Sequence, residues 1–123
     1  MLTLKDPGEA YRKVDFDARV AGAGPGELVV LCLEQFTAAL GSALFAAERA
    51  DNRLKSQSLT RALSALTALE LGITADQPLA PALGQLYVAA RKALLDSVVR
   101  FDPATIRMVR KDFSEIAEAL RRA

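Results

Sequence analysis

Four carboxylates, Glu34, Glu48, Glu70 and Asp96, are the groups in this chain that acid or base chemistry would draw on. Each sits among residues that read as a solvent-facing side of a helix. Asp15 and Asp17, one residue apart, suggest a cation. The chain has no histidine, and no calcium-loop pattern follows them, so they read as a solvated pair of charges. The same lack of histidine removes the inward-facing Glu-x-x-His pairs of di-iron bundles. There is no phosphate-cradling glycine loop, no Ser-His-Asp set and no paired zinc cysteines. Cys32 is the single cysteine, which forbids an internal disulfide, and its place in the apolar run 28–33 marks it as a small core residue. The sequence therefore predicts a protein that is not an enzyme and uses no metal or cofactor.

Binding surfaces are the better prospect. Arg107, Arg110 and Lys111, with Arg121 and Arg122 beyond, form a basic side on the last helix. Sixteen basic residues against fifteen acidic ones leave a net charge of +1, and no aromatics interleave with the cations, so a solvated helix face is expected and no nucleic acid. The informative surplus is apolar. Val88, Leu95 and Val99, together with Leu54 and Leu71, exceed what one bundle stripe can bury, which points to a groove for another helix, for the N-terminal arm or for a second subunit.

These residues must be positioned by helices. The 123 residues suffice for one domain, and a 51% hydrophobic share inflated by alanine, with no tryptophan, favours close-packed helices. Gly24 as N-cap and Pro25 at the first helical position, with Glu27 two residues further in, predict a helix over 25–50. Its apolar positions continue through Phe36, Leu40 and Leu44, so it should lie centrally, wrapped by the others. Asp51 and Asn52 are cap candidates for a second helix over 53–71, with Leu59, Leu63, Leu66 and Leu69 inward and Gly72 closing it in a left-handed conformation. A third helix over 79–100 carries Leu79, Leu83, Leu86, Tyr87, Ala90, Leu94 and Val98. Asp102-Pro103 opens a fourth, whose seam is Ile106, Val109, Phe113, Ile116 and Leu120.

The expected fold is all-α, an antiparallel up-down-up-down four-helix bundle over 24–123 preceded by a short arm over 1–23. The arm is irregular in pattern, with a turn or two of helix around Tyr11. It reads equally well as a frayed terminus and as a segment whose Tyr11, Val14 and Phe16 lie against the body. Residues 1–10 carry Asp6, Pro7 and Glu9, which fit no secretory signal, and charges interrupt each long apolar run, so a cytoplasmic protein without a membrane span is expected.

Ala10-Tyr11, Gly24-Pro25-Gly26-Glu27-Leu28-Val29, the leucines from Leu59 to Leu69, Leu83-Gly84-Gln85-Leu86-Tyr87 and the stretch 94–102 resemble, in that order, the FliS family of flagellar export chaperones. The resemblance implies a cytoplasmic bundle that binds the disordered C-terminal segment of flagellin, prevents premature polymerisation and delivers the subunit to the export apparatus, with export-gate components as further partners. It implies that Tyr11, with Val14 and Phe16, can plug a groove and that Tyr87 belongs to the groove, to which the surplus apolar residues Leu54, Leu71, Val88, Leu95 and Val99 are added by their pattern. The chain departs from the family pattern at Leu33 and at 89–91, where tyrosines are usual, at Val98, where asparagine is usual, and in having no tryptophan. A reading from a different class is a helical subunit whose surplus apolar face makes a homo-oligomer or a membrane-surface contact.

Overall fold

The computed structural model describes residues 14–15, 17–19, 21–22, 24–73 and 79–122, and all regular structure among them is helical. Helix α1 spans Pro25–Glu48, α2 Asn52–Leu71, α3 Ala80–Val99 and α4 Pro103–Arg122. Of the segment before α1, which the sequence pattern leaves irregular, residues 14–15, 17–19 and 21–22 are helical. Tyr11 and Phe16 lie outside the described residues.

The starts of α1 and α4 fall where glycine or aspartate before proline sets them. Gly24 is extended (φ −76°, ψ 172°) and its carbonyl accepts from Leu28 N–H at 3.0 Å. Asp102 Oδ1 accepts from the Ala104 and Thr105 N–H groups, and Oδ2 from the Thr105 hydroxyl at 2.6 Å. That hydroxyl, more than the backbone donors, holds the Asp102 carboxyl below its ordinary pKa. A depressed carboxylate stabilises the fold above its unfolded pKa, and the contribution is lost as pH falls through the folded value. Thr105→Val should therefore raise the Asp102 pKa toward the ordinary range, seen by carboxyl-carbon NMR titration, and narrow the acid range over which the cap helps. For α2 the cap is Asp51, whose Oδ1 accepts from Leu54 N–H at 3.0 Å, so the helix begins at Asn52.

The ends of the helices differ from expectation. α1 stops at Glu48, two residues before the predicted end, because Ala50 adopts φ 55°. Asp51 N–H reaches back to the Ala46 carbonyl at 2.9 Å and Ala50 N–H to that of Ala47 at 3.2 Å, the paired closure usually built on glycine. With alanine in that position no stop is visible in the sequence. Relieving the Cβ crowding by Ala50→Gly should raise stability by about 0.5–1 kcal/mol, measured from the denaturant midpoint. Conversely Gly72, expected to be left-handed, has φ −81°, and its N–H bonds to the Ala68 and Leu69 carbonyls as a tightened last turn of α2.

α1 packs on α2 and α4, α2 on α3, and α3 on α4. The α1/α2 pair is the most extensive contact, and Ala39, Ala43 and Ala46 on α1 with Ala62 and Ala65 on α2 are buried small residues that suit a close approach. Leu33, Phe36, Leu40, Leu66, Leu94, Ile106 and Phe113 fill the centre. Phe113 is the hub: its ring lies 4.6 Å from that of Phe36 and 6.0 Å from that of Tyr87, joining α4, α1 and α3.

Three positions assigned to core stripes are exposed instead: Leu79, Val98 and Leu120. Leu79 caps the start of α3, and Val98 and Leu120 stand in the last turns of their helices, where a neighbour no longer covers the stripe. Glu34 interrupts the longest apolar run, as expected, yet among the described residues Gly26–Glu48 is long and apolar enough to cross a membrane by length and composition. Its Leu33, Phe36, Ala39, Leu40 and Ala43 are fully buried against other helices, the pattern of a core helix.

Candidate functional site

Helix α3 turns Tyr87, Ala90, Leu94 and Ser97 inward. Val88, Leu95 and Val99, at offsets of seven and four, must then share another side, and all three are exposed, Val99 at 91%. Arg91 anchors α3 to α2: its Nε donates to Glu70 Oε1 at 3.0 Å, and its Nη2 to Thr67 Oγ1 at 2.7 Å and to Glu70. Lys92 and Asp96 form an i,i+4 ion pair at 3.1 Å. The result is an apolar strip on a helix held in place by polar ties. Leu71, 81% exposed, ends α2, while Leu54 is half-buried near its start. Val14 of the N-terminal segment is exposed.

Tyr87 belongs to a different setting. It is buried among α1, α3 and α4 and lines a cavity of about 530 Å³ at one end of the molecule. Gly26, Val29 and Val30 from the start of α1, Leu69, Gly72 and Ile73 from the end of α2, Leu79 and Leu83 from the start of α3, and Leu120 from the end of α4 complete its wall. Burial, and secondarily Cys32, pushes the Tyr87 phenol up, and burial pushes the Cys32 thiol up. Both stay neutral at physiological pH, as suits an apolar cleft. Val29, Val30, Ile73, Leu79 and Leu120 do not stand out as lining residues in the sequence. The signal available there is the run of apolar residues into helix ends, which does not distinguish a core from a rim.

A second cavity, of about 550 Å³, lies beside the first and shares Gly26, Val30 and Leu120 with it. Ala18, Arg19 and Gly22 of the N-terminal segment form one wall, α1 contributes Glu27, Leu31 and Glu34, and Arg121 closes it from α4.

The polar candidates are engaged structurally. Glu34 meets Arg19 and Arg121, each at 3.3 Å, Glu70 meets Arg91, and Asp96 meets Lys92. Glu48 is exposed, as are Asp15 and Asp17. In the basic row, Arg110 Nε donates to the Thr37 carbonyl at 3.1 Å, its guanidinium lying over Gly41, where a Cβ would stand 2.8 Å from Nη2. Arg121 and Arg122 pair with Glu118. Arg107 and Lys111 are exposed. No group of three or more acidic, cysteine or histidine side chains that could hold a metal occurs among the described residues.

Compared with models of known protein families, the chain matches the one described as "Flagellar protein FliS" over residues 7–123. No curated protein matches the chain.

Proposed function

The chain belongs to the FliS family of flagellar proteins, a family of export chaperones that bind flagellin, and from that membership we propose that it is a cytoplasmic chaperone for the disordered C-terminal segment of flagellin. It holds that segment, prevents premature polymerisation and hands the subunit to the flagellar export apparatus, with export-gate components as further partners. In this reading the helices run up-down-up-down as an antiparallel bundle. The match across residues 7–123 carries the reading. The exposed strip of Val88, Leu95 and Val99 supports it, because a chaperone for a disordered chain needs apolar surface that stays soluble by being narrow and edged by charge. Leu54 and Leu71 extend the binding surface on α2, and Tyr87 supports it from the cleft. No catalysis is involved.

Titration calorimetry with the flagellin C-terminal segment tests this. Folding of the segment on contact should give a strongly negative heat-capacity change, with about 2–5 kcal/mol spent on ordering, and raising the salt should not weaken the complex. Absence of binding, with self-association on sizing or vesicle binding instead, would favour the homo-oligomer or membrane-surface reading. The same titration with residues 1–20 deleted tests the plug role of Tyr11, Val14 and Phe16: removal of a competing occupant tightens binding.

A further inference from the structure

Viewed down α3, a turn of roughly 3.6 residues places Leu95, Val88, Val99, Lys92 and Asp96 in that order within about 100° of arc, on the side away from the buried Tyr87, Ala90 and Leu94. All five are exposed, and the apolar three carry among them an ion pair, Lys92 with Asp96 at 3.1 Å. The strip is also symmetric along its length. Val88 and Val99 stand equally far from the level between residues 93 and 94, and so do Lys92 and Leu95. Asp96 lies one residue beyond the counterpart of Lys92, about 1.5 Å along the axis. A pattern of this kind fits a copy of itself turned end for end.

We propose that this strip binds the same strip of a second copy of the chain, antiparallel about a two-fold axis that crosses α3 between residues 93 and 94. Val88 then faces the second copy's Val99, and the two Leu95 side chains flank the axis about 4.5 Å apart along the helices. Each Lys92 gives up its own Asp96 for that of the other copy, so one symmetric contact holds two ion pairs. A parallel pairing sets lysine against lysine and aspartate against aspartate, so charge decides the orientation. Arg91, tied to Glu70 and Thr67 of α2, holds the helix face in place for the contact. The contact is small. One helix face buries less than the ~1,200 Å² at which stable interfaces begin, so a Kd on the order of 0.1 mM is expected. The inference rests on the chaperone reading only for its consequence: where the strip is also the client's groove, the second copy covers it until a client takes its place, and the two exclude each other.

Analytical ultracentrifugation of the full chain tests the contact without flagellin. The parent should show an equilibrium between monomer and dimer near that Kd. Lys92→Asp and Asp96→Lys each set like charges opposite one another in both symmetric pairs, and each should weaken self-association at least about tenfold with circular dichroism unchanged. An equimolar mixture of the two variants should associate within about threefold of the parent, because each brings the charge the other lacks. Both variants lose the pair within α3 equally, so only a contact between copies in this register restores association on mixing. Raising the salt should tighten each variant alone. A parent still monomeric at about 1 mM, or a mixture no tighter than its components, overturns the proposal. Adding the flagellin C-terminal segment tells the two readings apart. Segment bound with release of monomers supports both, and segment bound to an intact dimer overturns the shared strip. If no segment binds, the chaperone reading falls, while the mixture still judges the contact.

Discussion

Replacing Phe113 by alanine should lower the stability of the fold by about 3–5 kcal/mol, the largest loss expected from any single side chain here. The ring is 1% exposed and touches aromatic partners on two other helices, Phe36 and Tyr87. Truncation opens a cavity that three helices cannot close together, and it also forfeits about 0.5–1.5 kcal/mol for each aromatic pair, part of the same total. A domain of this size has roughly 5–15 kcal/mol to lose, so the variant should sit near the edge of folding. The check is the denaturant midpoint, shifted strongly with an unchanged slope. Phe113→Leu, which refills most of the volume, should lose much less, and Leu120→Ala, at a half-exposed rim, under about 1 kcal/mol. A midpoint unmoved by Phe113→Ala would mean that α4 does not dock through this ring.

Leu95→Asp should leave folding nearly untouched and weaken binding of the flagellin segment by about 2 kcal/mol or more, roughly thirtyfold. Leu95 is 49% exposed, and its loss does not thin the core, which α3 builds from Tyr87, Ala90 and Leu94. Val98 is exposed too, so the spared core lies one turn further from the strip's end than the periodicity suggests. In the complex the new carboxylate would stand between Val88 and Val99, desolvated, with the nearest cation on that side, Lys92, already paired with Asp96. Helical content by circular dichroism should match the parent, and calorimetry should show the loss. A variant that binds as tightly as the parent would remove this strip from the groove.

The sequence alone carries what depends on local chemistry. Glycine or aspartate before proline places the starts of α1 and α4, because a capping residue and a fixed φ act over one turn. The spacing of leucine, isoleucine and phenylalanine names Phe36, Leu40, Leu59, Leu66, Leu94, Ile106 and Phe113 as inward-facing, because 3.6-residue periodicity is independent of the partner. The exposed surplus of Val88, Leu95 and Val99 is legible for the same reason: residues off the stripe cannot reach the core. The tertiary structure alone decides matters that depend on which helix stands opposite. Ala50 takes a glycine's conformation between α1 and α2, whereas Gly72 keeps a helical one and tightens the last turn of α2. Leu79, Val98 and Leu120 become rim where a stripe outruns its neighbour. The cleft over Tyr87 draws its wall from all four helix ends, and the Arg19, Glu34 and Arg121 contacts join residues 15 and 87 positions apart. Periodicity along one helix contains no term for such encounters; they follow from burial of the shared core, which fixes how the ends meet.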